Sequence, residues 1–141
     1  MPGTAIEADI MIALVLAGDP EQVGITRCLV RAALEYRGLG HYASEAETIA
    51  SELVTNAIQH AGHADPDAKI GVTLVRVWDK EAISVVVTDS SPIPPIKRQT
   101  TTGSERGRGL QIVEALSVRW GWRHERGGKA VYAILSKEAS G

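Results

Sequence analysis

Twenty residues, Ala43–Gly62 (ASEAETIASELVTNAIQHAG), constrain the fold of this chain more than any other stretch. Ser44 and Glu47 stand at capping-box spacing, and Gly62 is a natural helix stop. At ~100° per residue, Ala46, Ile49, Ala50, Leu53, Val54, Ala57, Ile58 and Ala61 fill one wide apolar arc. Glu52, Asn56 and His60 follow one another at i, i+4 and i+8, a strip along the edge of that arc, with His60 beside Ile49 and Leu53. A carboxylate, an amide and an imidazole therefore sit half desolvated at the rim of a core, where charge is costly unless used or paired. On the helix alone two readings stand. One is a plain amphipathic helix, with Glu52 and Asn56 solvated and His60 favoured by the C-terminal dipole. The other is a site built on a rigid element.

The remaining elements are read from periodicity and punctuation. Asp9–Ala17 is short and aliphatic and reads as a first strand, although its composition also suits a helix. Asp19, Pro20 and Gln22 form a helix start, after which Val23, Leu29, Val30, Ala33 and Leu34 recur at helical spacing until Gly38 and Gly40. Beyond the central helix, residues 62–69 are rich in Asp, Pro and His. His63 with Asp65 and Asp67 is read as a solvated turn, not a metal cluster. Ile70–Trp78 alternates and Ala82–Thr88 is β-branched almost throughout, so the two read as an antiparallel hairpin running into Asp89.

Ser90–Arg108 then breaks every pattern, with three prolines, two glycines and a net charge of +3 in a chain whose overall charge is −2. A loop this long in a compact domain points to function, and local positive charge suits an anionic ligand. Gly107-Arg108-Gly109-Leu110 opens the next helix, Leu110–Ser117, with Leu110, Ile112, Val113 and Leu116 inward. Glycines there admit close approach of a ligand to the backbone, and the free N–H groups of a helix start favour phosphate. Val118–Arg123 and Lys129–Leu135 close the chain as a hairpin. The order β, α, α, β, β, loop, α, β, β predicts an α+β two-layer sandwich, a mixed, mainly antiparallel sheet with three helices on one face. The alternation of a doubly wound parallel sheet is missing.

At 141 residues the length suits one domain spanning 1–141, with a core of about 9–136. The near-balance of charge argues against nucleic acid as a direct partner. The apolar run near the N-terminus follows Glu7 and Asp9 and has no basic region before it, so neither a signal peptide nor a membrane span is expected, and the location is read as cytoplasmic. Cys28, the single cysteine, falls in an apolar helical pattern and is read as a core filler.

Three separated pieces carry a family resemblance. Glu52 to Ala61 (ELVTNAIQHA) resembles the N box of the GHKL ATPase/kinase superfamily; Asp89 after its hydrophobic strand resembles the aspartate of the G1 box; and Glu105 to Leu110 (ERGRGL) resembles the G2 box. Trp120-Gly121 followed by Gly128-Lys129 looks like the family's final hairpin. Within the superfamily the combination resembles the small single-domain anti-sigma-factor serine kinases and their actinobacterial relatives. The resemblance implies a Bergerat-type ATP-binding fold and a set of roles. Asn56 would hold Mg²⁺ through its amide oxygen, a hard ligand for a hard cation. Glu52 would be the general base toward an attacking hydroxyl. His60 would lie by the phosphates or simply pack. Asp89 would accept from the adenine amine and so select ATP. Gly107, Gly109 and Leu110 would form the phosphate-side turn, with Arg108 adding charge there or pointing to solvent.

The sequence also departs from the pattern. Asp89-Ser90-Ser91-Pro92-Ile93 lacks both glycines of a strong G1 box, and Ala130 stands where relatives carry a threonine. Each loss weakens binding by ~1 kcal/mol, the size of an ordinary hydrogen bond. Two functions are thus implied. One is an ATP- and Mg²⁺-dependent serine/threonine protein kinase acting on a small partner, an anti-anti-sigma-like protein and/or a sigma factor, in transcription regulation. The other is a degenerate binding module that grips such a partner with little or no kinase activity. A homodimer is compatible with either. A fragment of a sensor kinase fits less well, because no phosphoacceptor helix precedes the domain.

Overall fold

The computed structural model describes residues 8–62, 65, 67–77, 81–95 and 109–137. Strands β1 (Ala8–Ala17), β2 (Lys69–Val77), β3 (Ala82–Asp89), β4 (Arg119–Glu125) and β5 (Gly128–Ser136) form one sheet in the order β1-β2-β3-β5-β4. Every pairing is antiparallel, so the sheet is not mixed. The order follows from composition. β5 is apolar and takes the inner place beside β3, whereas β4 (RWGWRHE) is charged and half exposed and lies at the edge. Edge strands tolerate, and benefit from, such charge.

One face of the sheet is a continuous apolar row. Ile70, Val72 and Leu74 of β2, Ile83, Val85 and Val87 of β3, and Val131, Ala133 and Leu135 of β5 are all buried. The register sets Val72 opposite Val87 and Val87 opposite Val131, so the rows align. Helices α1 (Gln22–Tyr36), α2 (Ala43–Ala57) and α3 (Gly109–Leu116) pack on that face and share one hydrophobic core with it. In α2, Ala46, Ile49, Ala50, Leu53, Val54 and Ala57 are buried, as their spacing requires. Full burial of each larger aliphatic side chain contributes about 2 kcal/mol. The expected two-layer α+β sandwich is the observed one.

The ends of α2 differ from expectation. A 3₁₀ turn, Gly40–Tyr42, feeds directly into Ala43, and no capping box forms. The anchor is Tyr42, whose buried hydroxyl donates to the Glu81 carbonyl at 2.9 Å and accepts the Lys137 N–H at 3.2 Å. Ser44 lies inside the first turn, and Glu47 pairs instead with Arg31 of α1. At its other end α2 stops at Ala57 and widens into a π turn, Ile58–Gly62.

α1 begins two residues later than expected, at Gln22 with Glu21 at the N-cap and no side-chain cap; the Asp19 carboxylate accepts the Glu21 N–H at 3.0 Å in the turn before it, and the buried stripe is Thr26, Val30 and Leu34. Leu29 is exposed, and so is Cys28, which is therefore not a core filler. Two residues beyond Thr26 is roughly the opposite side of a helix. Thr26 tolerates burial because its hydroxyl donates to the Gln22 carbonyl at 2.8 Å. Among the described residues no helix is long and apolar enough to cross a membrane.

Candidate functional site

The first cluster forms where α3 begins against the polar edge of α2. Glu52 and Asn56 are half-buried, one turn apart, and Gly109 is packed onto both. A Cβ at Gly109 would lie 2.9 Å from Glu52 Oε2 and 3.6 Å from Asn56 Oδ1. A methyl group there would push the end of the Glu52 side chain aside, so glycine leaves that carboxylate in place. Leu110 and Val113, buried in the core, hold α3 in this position. The Leu110 side chain thus faces the core, and only its backbone is available to a ligand.

Burial raises the pKa of Glu52, and the nearby positive charge of Arg27 offsets part of the rise. A carboxyl held closer to neutrality is a better proton acceptor than a solvated one. Arg27, on α1, is a participant that the sequence did not announce, since it reads there as an ordinary exposed helix residue. Its guanidinium donates to Ser51 Oγ at 3.1 Å, which ties α1 to the turn of α2 carrying Glu52. Ser51 Oγ in turn donates to the Thr48 carbonyl at 3.0 Å.

His60, the third residue of the strip, stands beyond the end of α2. It lies in the π turn that follows α2, and its side chain is half-buried. Gly107 and Arg108 lie outside the described residues, as do His63 and residues 96–108 of the long loop.

The second cluster is at the end of β3. Asp89 continues the inward row of Ile83, Val85 and Val87, so its carboxylate points into the layer between sheet and helices. There it is already engaged. Asp89 Oδ1 accepts the Ser91 N–H at 2.7 Å and the Lys129 ammonium at 3.0 Å, and both ion-pair side chains are 1% exposed. The residue directly opposite Asp89 is therefore Lys129 and not Ala130, which pairs with Thr88 one step along. Gly128 makes this approach feasible: a Cβ on it would fall 1.8 Å from the Asp89 carbonyl oxygen. The signal for Lys129 was present in the sequence, because Lys129, Val131, Ala133 and Leu135 alternate on one face of a buried strand.

A polar cavity of about 380 Å³ opens at this end of the sheet, lined by Lys69, Thr88, Asp89, Ser90, Glu125, Arg126, Gly127 and Lys129. Glu52, Asn56 and Gly109 do not line it. Of the residues expected on the phosphate side, Glu52, Asn56 and Gly109 lie together, while Asp89, expected at the adenine, has an internal partner.

Comparison with known proteins follows the same lines. The family model described as the histidine kinase-like ATPase domain matches residues 16–135. Among solved structures, the RsbU and RsbW domains of Rv1364c from Mycobacterium tuberculosis superpose with a TM-score of 0.64 at 20% identity, covering 89% of this chain and 31% of that one. The histidine kinase domain of the Erythrobacter litoralis EL346 blue-light activated histidine kinase superposes with a TM-score of 0.53 at 20% identity, covering 94% of this chain and 65% of that one. The chain thus spans less than two thirds of either protein. A comparison with curated protein sequences gives no match. With the sandwich, the α2–α3 cluster and a family match running from the end of β1 through nearly all of β5, the chain belongs to the histidine kinase-like ATPase domain family, an ATP-binding branch of the GHKL superfamily.

Proposed function

We propose that this chain is an ATP-binding regulatory protein kinase that transfers a phosphoryl group to a serine or threonine hydroxyl of a small partner protein. The observation that carries the proposal is the packing of Gly109, at the start of α3, onto Glu52 and Asn56. A helix start favours phosphate, an amide oxygen suits a hard cation, and a carboxyl with raised pKa suits a base. Asn56 would hold Mg²⁺, which when bound neutralises charge on the phosphate oxygens. Glu52 would take the proton of the attacking hydroxyl as the oxygen–phosphorus bond forms and the bond to the departing ADP breaks. Arg27 and Ser51 support the helical turn that presents Glu52. The likeness of ELVTNAIQHA and GRGL to the anti-sigma-factor serine kinases supports an anti-anti-sigma-like partner. The fold likeness to a chain containing an RsbW domain is consistent with that reading.

The second reading, a nucleotide-fold module that grips its partner without phosphorylating it, is favoured by one observation: Asp89 is tied to Lys129. Incubation with γ-labelled ATP, Mg²⁺ and a candidate anti-anti-sigma protein separates the two. The kinase reading predicts label on the partner's serine or threonine with wild type and at least about 100-fold slower labelling with Glu52→Gln. A wild-type protein that binds the partner yet transfers no label would establish the binding module.

A further inference from the structure

The Asp89–Lys129 pair is placed where the family resemblance puts recognition of the base, and it changes what that end of the site can read. Adenine presents an exocyclic amine, a donor, where guanine presents a carbonyl oxygen, an acceptor. An uncommitted carboxylate distinguishes them, because it accepts from the amine and repels the carbonyl. Here the carboxylate already faces a cation. Its Oδ1 takes the Ser91 N–H and the Lys129 ammonium, and each side chain of the ion pair is 1% exposed at the wall of the cavity.

A neutral amine does not displace that partner readily. Hydrogen bonds with ionised donors are roughly twice as strong as neutral ones, and separating a buried ion pair leaves an uncompensated charge. The arrangement is also fixed by the backbone. Asp89 and Lys129 are direct partners across β3 and β5, and Gly128 brings the two strands too close for any side chain at that position. Lys129 carries donors and no acceptor, so whatever capacity it has beyond Asp89 favours a carbonyl over an amine.

We infer that Lys129 is a specificity-determining residue: as the internal partner of Asp89 it removes the reading of the exocyclic amine, so the chain accepts adenine and guanine nucleotides alike. This rests on the reading of the site as a nucleoside triphosphate site. A shorter neutral residue at 129 would release the carboxylate to water and to the base, and adenine preference would appear.

Calorimetric titration of the full chain with Mg·ATP and Mg·GTP, for wild type and Lys129→Thr, tests this. Wild type is expected to bind the two within about threefold of each other, and Lys129→Thr to prefer ATP by about tenfold or more through tighter ATP binding. Circular dichroism and melting establish that the variant is folded; should it not fold, the wild-type ratio alone decides. A wild type that prefers ATP by more than about tenfold overturns the inference, as does a folded Lys129→Thr with an unchanged ratio. Gain of ATP binding in Lys129→Thr from a wild type that binds neither nucleotide overturns the inference while leaving the nucleotide reading intact, since the pair would then close the base end outright. If neither folded protein binds either nucleotide, the nucleotide reading itself is lost and the inference with it.

Discussion

Replacing Lys129 by methionine keeps most of the side-chain volume and removes the charge, leaving the Asp89 carboxylate buried with only the Ser91 N–H. Both partners are 1% exposed, so the attraction is hardly screened and the desolvation of each ion is already complete. Breaking one side of such a pair destabilises by about 3–5 kcal/mol. A native domain has a stability of about 5–15 kcal/mol, so a variant of this 141-residue chain should fold unless the wild type lies at the low end. At about 3–4 °C per kcal/mol for this size, its melting temperature should fall by roughly 10–20 °C. The contrast is internal. Lys137 pairs with Glu45 at 2.7 Å with side chains 46% and 29% exposed. Lys137→Met should cost about 0–1 kcal/mol, as exposed pairs do. Removing both charges with Asp89→Asn and Lys129→Met together should recover most of the loss, because replacing a whole buried pair is often neutral. Urea and thermal unfolding followed by circular dichroism measure all four proteins. A Lys129→Met variant within about 1 kcal/mol of wild type, or a double variant as unstable as the single, would refute the claim that the pair is buried and coupled.

The other expectations concern the α2–α3 cluster and the β3–β5 seam. Burial raises the Glu52 pKa, so the folded state binds more protons than the unfolded chain from the ordinary glutamate value upward to the raised one. Stability from this group therefore falls as pH rises through that window and stays lowered above it. Glu52→Gln should accordingly be more stable than wild type at neutral pH, with the difference vanishing below the ordinary glutamate range; an advantage constant with pH would contradict this. Gly109→Ala should fold, because the obstacle is the movable end of Glu52, yet it should displace that carboxylate and slow phosphoryl transfer by about tenfold or more with little change in melting temperature. Gly128→Ala meets a backbone oxygen at 1.8 Å and cannot be relieved by a side chain; it should lose about 3 kcal/mol or more in urea unfolding, and a near-neutral result would contradict the close β3–β5 approach.

The fold was legible because period and punctuation agree in this chain. The 3.6-residue arc of α2, the β-branched run of β3 and the glycine-containing turn at 125–128 each have one physical solution, and the order of elements leaves few sheets that bury all the apolar faces. What sequence reasoning missed depends on partners distant along the chain. Glu47 suits a capping box locally, but Arg31 of α1 and the anchoring of Tyr42 by the ends of β2–β3 and β5 decide otherwise. Cys28 and Leu29 fit an apolar pattern until the stripe through Thr26, Val30 and Leu34 sets the rotation of α1. Glu52 and Asn56 were readable as a pair from their spacing, and Gly109 from its motif. The change from α-helix to a π turn at Ile58–Gly62 was not, because a π turn has no sequence rule as firm as a cap. Asp89 was placed correctly at the end of its strand, and its cation was missed because strand register, not sequence distance, makes Lys129 its neighbour.

Titration of Mg·ATP into the wild type and into Asn56→Ala, each with and without EDTA, tests the assignment of the α2–α3 cluster most directly. Wild type should bind the triphosphate with an affinity that falls by about tenfold or more when Mg²⁺ is chelated, and Asn56→Ala should bind weakly in both conditions, since the amide oxygen that would hold the cation is gone. Equal affinity in all four titrations would contradict the assignment of Asn56, and with it the placing of the phosphates between α2 and α3.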